Sequence, residues 1–189
     1  MIEQDFINQC VDDVLAREGG FVDHAADRGG PTNFGITMRA LASFRDAVVT
    51  RADIGALKRD EAAAIYEKAY ARDTGFVDVS PQGDMTERWS VFALLFDSAV
   101  NCGPGTVTKW LQRACIELVP KETPIMVDGK LGPRTLALVA KLPASAIYRG
   151  LLRRRFVHYA LIVESDPSQA VFIEGWTKRA CEFLEPLRL

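Results

Sequence analysis

Glu18 is the residue whose type and position most directly imply chemistry. It follows Val14 by four and Val11 by seven, so a helix over residues 2–18 carries its carboxyl group on the face that holds Ile2, Phe6, Ile7, Cys10, Val11, Val14 and Leu15. No lysine or arginine stands four residues before it, and the end of a helix presents partial negative charge. A carboxylate is costly on such a face. Both effects favour the protonated form, as a general acid working near neutral pH requires. A frayed helix end with Glu18 in water is the competing reading, and periodicity alone leaves both open.

The next polar groups, Asp23, Asp27, Thr32 and Asn33, lie on a segment with Gly20, Gly29, Gly30, Pro31 and Gly35. That density of turn formers predicts an irregular loop or a small hairpin over 20–36. Glycoside hydrolysis needs a proton donor and a second group that positions water or stabilises an oxocarbenium-like state. Asp27 or Thr32 on a loop folded back over the helix end meets that need, although Asp and Asn also favour turns for their own reasons. Asp97 and Asn101, four apart, share a helical face and serve either to bond a sugar or to tie helices together. Trp176 offers a flat face for a pyranose ring or fills a core. Arg179 suits a peptide carboxylate, or is simply a surface arginine.

Composition narrows the classes. A formal charge of −2 and a pI near 5.8 argue against nucleic acid, which needs a clustered excess of Lys and Arg. Arg153, Arg154 and Arg155 form a basic run, read mainly as a solvated face because consecutive helical residues point in different directions. Cys10, Cys102, Cys115 and Cys181 form no C-x-x-C pair, and only His24 and His158 are available to join them, so no metal site is expected. Buried free thiols are the better reading, consistent with a reducing compartment. No apolar run approaches the roughly 18 residues of a membrane span. The acidic, amphipathic MIEQDFINQC is no secretory signal. Synthesis in the cytoplasm and release by another route are therefore expected if the substrate is a cell wall, and a monomer is expected.

These residues must be positioned by helices. Gly19-Gly20 closes the first, and Thr37 is a plausible N-cap for the next. Asp60–Arg72 carries an Ala-rich, Tyr-spaced run, and a loop rich in Gly, Pro and Asp follows over 73–85. Helices are predicted over 87–101 and 104–119, broken at Cys102-Gly103 with Pro104 in a first turn. After a loop over 120–130, Gly132-Pro133 opens a short helix to about Lys141. Pro143 starts a long one to about Glu164, and a last runs from about Gly175 to Leu184. No internal repeat or low-complexity stretch is present.

Residues 18–37, EGGFVDHAADRGGPTNFGIT, resemble the signature of glycoside hydrolase family 108, lysozymes whose motif opens E-G-G-aromatic. FDSAVNCGPGTVTKWLQRA (96–114) and DGKLGPRTL (128–136) resemble the family's C-terminal peptidoglycan-binding half, and FIEGWTKRA (172–180) its closing Gly-Trp segment. The resemblance implies a mainly α, lysozyme-like fold with a small β-hairpin or irregular loop near the N-terminus. It implies a catalytic lobe over 1–93 and a peptidoglycan-binding-like lobe over 94–189, packed as one globular unit, with the cleft between the N-terminal helix-plus-loop and the C-terminal helices. The family's catalytic glutamate falls on Glu18. The implied activity is N-acetylmuramidase, with peptidoglycan strands as partner and no cofactor. A non-catalytic peptidoglycan-binding protein and a chitinase-like hydrolase are the alternatives. Asp27 and Thr32 match a looser pattern shared with phage lysozymes, in which the threonine stands one residue later. Phe21, Arg28 and Ala71 replace the usual Tyr, Pro and Trp. Asn33, Asp97, Asn101, Trp176 and Arg179 are the expected substrate-binding positions.

Overall fold

The apolar spacing of the N-terminal segment is realised as α1, Gln4–Arg17, which buries Ile7, Cys10, Val11, Val14 and Leu15 along one face. The computed structural model describes residues 3–22, 30–119 and 125–184. They fall into two compact units, one of Glu3–Asp73 and one beginning at Thr74.

In the first unit, α1 is followed by a two-stranded antiparallel hairpin, β1 (Thr32–Asn33) and β2 (Ile36–Thr37). Phe34 and Gly35 at its turn both have positive φ, 50° and 70°, as the tight hairpin turns that match strand twist require. Thr37 caps α2 (Met38–Arg45) by accepting from the Ala40 N–H. Helix α3 (Arg51–Gly55) opens with a reciprocal capping box between Thr50 and Asp53. Helix α4 (Arg59–Tyr66) runs into π-helical turns over Glu67–Arg72, where the Asp73 N–H reaches back five residues to the Lys68 carbonyl. The sequence predicts one helix over 60–72; the wider turns are not visible in its spacing.

The second unit is a helical bundle. Helix α5 (Met85–Cys102) starts with a capping box between Asp84 and Glu87. At Gly103, with φ +84°, the chain turns into α6 (Pro104–Leu118), and Pro104 occupies the first turn as expected. The short α7 (Pro133–Val139), the long α8 (Ala144–Ser165) and α9 (Ile173–Cys181) complete the bundle, which is built chiefly on packing among α5, α6 and α8. Residues 93 and 94, between which the sequence divides the lobes, lie inside α5.

The DGKLGPRTL segment owes its shape to the buried Gln112. Its amide nitrogen donates to Asp128 Oδ1 and the Lys130 carbonyl, and its oxygen accepts from the Gly129 N–H. A buried amide so fully satisfied fixes the loop to α6. The arginine run points in three directions. Arg153 is exposed and paired with Glu117, whereas Arg155 is fully buried, so the reading of a solvated face fails at that position.

Candidate active site

Glu18 caps the C-terminal end of α1 in an extended conformation, its N–H donating to the Val14 carbonyl at 2.9 Å. The side chain is half-buried. Val22, just beyond, exchanges both backbone hydrogen bonds with Thr32, at 2.8 and 2.9 Å, which brings the segment after Glu18 alongside the hairpin. At the hairpin turn a Cβ on Gly35 would stand 2.7 Å from Glu18 Oε2 and 2.7 Å from the Tyr66 hydroxyl. The glutamate and tyrosine oxygens therefore crowd the same point, and they reach it because residue 35 has no side chain.

Tyr66 is buried and donates to the Phe34 carbonyl at 2.9 Å, fixing the turn from beneath. Its ring stacks on Tyr70 with centroids 5.6 Å apart. Burial, and secondarily the charge of Glu18, raises the pKa of Tyr70 above its ordinary value, so the phenol stays protonated beside the glutamate. Tyr70 lies on the π-helical turns, a distortion that often accompanies functional sites. Neither tyrosine is among the residues expected from the sequence. Their signal is the four-residue spacing of Tyr66 and Tyr70, but nothing in that spacing tells which helix end they face.

The other expected residues divide between the units. Asp27 lies outside the described residues. Thr32 is half-buried on β1, with its backbone committed to Val22. Asn33 is buried on the opposite face of that strand and donates to the carbonyls of Ile54 at 3.0 Å and Leu57 at 3.4 Å, tying the hairpin to the end of α3.

Asp97, Asn101, Trp176 and Arg179 come together in the second unit around two residues not foreseen, Arg155 and Tyr159. Asp97 is buried and receives Arg155 Nη2 at 2.7 Å, with Arg179 Nε at 2.9 Å and Nη2 at 2.8 Å. Arg155 Nε donates to the Tyr159 hydroxyl at 2.7 Å, which donates to Asn101 Oδ1 at 2.7 Å. Trp176 is half-buried and stacks between Tyr159 and Phe172, at 5.5 and 5.8 Å. The cluster joins α5, α8 and α9. Among the described residues no group of three or more His, Cys, Asp or Glu side chains is arranged to hold a metal.

Residues 11–103 match the family described as Glycosyl hydrolase 108, and residues 106–181 the one described as Predicted Peptidoglycan domain. Residues 11–103 of the chain belong to the glycosyl hydrolase 108 family. A similar solved structure is that of SagA from Brucella abortus, 28% identical, covering 98% of this chain and 95% of that one with a TM-score of 0.74. No curated protein matches. The glycosyl hydrolase 108 match contains Glu18, Gly35, Tyr66 and Tyr70, so the crowded glutamate belongs to the hydrolase part. The family and its second domain make the chain a glycoside hydrolase that acts on peptidoglycan.

Proposed function

We propose that this chain is an N-acetylmuramidase, cutting the β-1,4 bond between N-acetylmuramic acid and N-acetylglucosamine with Glu18 as general acid. The observation that carries the reading is the packing of Glu18 against Gly35 and Tyr66 at the end of α1. That packing restrains the carboxyl group, and a positioned acid is worth more than a freely rotating one. Glu18 gives its proton to the glycosidic oxygen as the bond to the muramic acid anomeric carbon breaks. Water attacks that carbon from the opposite face, losing its proton to a base.

Asp27 and Thr32 are proposed to hold that water, on the resemblance of their spacing to phage lysozymes. Inversion follows, with about 6.5–9.5 Å between the two carboxyl groups, against about 5–5.5 Å in a retaining enzyme. Asn33, Asp97, Asn101, Trp176 and Arg179 are proposed to support substrate binding largely by holding the elements around them. The peptidoglycan-binding lobe is proposed to keep the hydrolase on the wall. Among the described residues no helix is long and apolar enough to cross a membrane.

The test is turnover of purified peptidoglycan by wild type and Glu18→Gln, with mass spectrometry of the products. Glu18→Gln is expected to lower turnover by at least about a hundredfold, the scale of general acid catalysis, with folding retained. New reducing ends on muramic acid support the muramidase. Reducing ends on glucosamine alone, or activity only on chitin oligomers, mean the chitinase-like alternative. No turnover by the wild type leaves the non-catalytic binder. Product anomers followed by NMR before mutarotation should be α at first; a first-formed β-anomer overturns inversion and leaves Glu18 as the acid.

A further inference from the structure

Between α6 and α8 lies a pocket of about 200 Å³ that the hydrolytic reading does not use. Lys109 and Arg113, one turn apart on α6, form one wall; both are exposed, and among the described residues neither has an ion-pair partner. Arg154 on α8 is held instead by Glu117. The floor is aromatic, with Trp110 and His158 meeting edge to face at 5.2 Å. The far wall is apolar, where Val157 and Leu161 are each more than half exposed. Two cations without an ion-pair partner beside an apolar wall offer one ligand both a charge contact and a hydrophobic one, and in a protein whose net charge is −2 they form a local positive site for an anionic group.

We infer that this pocket recognises the peptide stem of peptidoglycan, through a stem carboxylate on Lys109 and Arg113 and alanine methyl groups on Val157, Leu161 and Trp110. The inference rests on the reading that the chain binds peptidoglycan. The stem offers both chemistries at that scale: free carboxylates, and alanines whose methyl groups fit a small apolar wall. The glycan alone does not, because its lactyl carboxylates are consumed in amide bonds to the stem. Arg113 is suited to bidentate contact and Lys109 to a point charge, so together they favour a carboxylate over a neutral amide.

Binding is measured by sedimentation with purified sacculi, using the full chain with Glu18→Gln so that the wall is not cut. Lys109→Gln with Arg113→Gln is expected to weaken binding at least about tenfold, the scale of losing charge-assisted contacts. Lys141→Gln with Arg149→Gln, the same charge change at exposed positions outside the pocket, is expected to leave it unchanged. Sacculi whose carboxylates have been converted to amides should bind the otherwise unaltered chain as weakly as native sacculi bind the Lys109/Arg113 variant. This arm requires no variant in the pocket. Equal binding of native and amidated sacculi overturns the inference, as does equal loss in the control pair. Sacculi that are cut by the wild type but bound equally by the pocket variant remove this inference and leave the muramidase standing. Weakened binding without any cutting does the reverse.

Discussion

Gly35 shows how one missing side chain makes room for the proposed acid, Glu18. Its φ of +70° already disfavours other residues, and an added methyl would press on both Glu18 and Tyr66. Gly30 has a similar φ, +74°, with nothing within 4 Å of the corresponding point, so it isolates the backbone effect. Alanine at either position should cost about 1–3 kcal/mol in denaturant unfolding, the range for a strained backbone residue. Only Gly35→Ala should also lower lytic turnover, by up to about a hundredfold for a displaced acid. Equal turnover in the two variants would separate Gly35 from the chemistry.

The cysteines give a second prediction. Burial pushes the thiols of Cys102 and Cys115 up to about 11 and about 12, Cys10 is buried, and Cys181 is exposed. A thiol reagent at pH 8 should modify Cys181 in the native protein well before the others, and all four after denaturation. Fast modification of Cys115 would contradict its burial. At this scale the sequence put Glu18 in the last turn of a helix over 2–18. In the structure α1 ends at Arg17 and Glu18 is its extended, half-buried C-cap, because the glycines that follow stop the helix one residue early. The sequence was silent on Gly35 and Tyr66, because a contact among residues 18, 35 and 66 has no local period.

At the scale of elements, the N-terminal unit is pinned by side-chain carboxylates that stay ionised. Hydrogen bonds from Arg45, then its charge, hold Glu61 below its ordinary 4.5, and bonds from Thr50, then Arg45, hold Asp53 below 3.8. A value lowered by folding contributes stability that is complete above the unfolded value and disappears as pH falls through the folded one. The melting temperature should therefore hold nearly level from neutral pH to about 4.5 and fall below it. In calorimetry Glu61→Gln should make that acid fall shallower. Asp84→Ala, which removes the capping box of α5, should cost about 1 kcal/mol. Helix starts such as Thr37 and Pro104 were legible because caps and prolines are local. The π-helical turns over Glu67–Arg72 were not, since one widened turn leaves the apolar spacing of the segment almost unchanged.

For the molecule as a whole, the family boundary and the packing boundary differ. The hydrolase match ends at residue 103, the end of the α5 turn, whereas the first compact unit ends at Asp73. Helix α5 thus belongs to the hydrolase family by sequence and to the helical bundle by packing. Composition and motif order conveyed the mainly α fold and the sequence of parts. They could not convey this sharing, since a helix's pattern records how much of it is buried and not which neighbours bury it. Binding and cutting should separate in the assay: Glu18→Gln should sediment with sacculi as the wild type does, and a variant that loses both would place Glu18 in wall binding or in folding.

The buried set of Asp97, Arg155 and Arg179 restricts how this sequence can drift. Removing Asp97 alone would strand the fully buried Arg155, at a cost of about 3–5 kcal/mol, whereas exchanging such a set together for apolar residues is often neutral or stabilising. The three positions therefore form one heritable unit spread over α5, α8 and α9. Single steps away from it lead into a deep valley, and only a coordinated change reaches the other side. Related chains are accordingly expected to keep all three residues or to have replaced them together, leaving few intermediates with one partner missing.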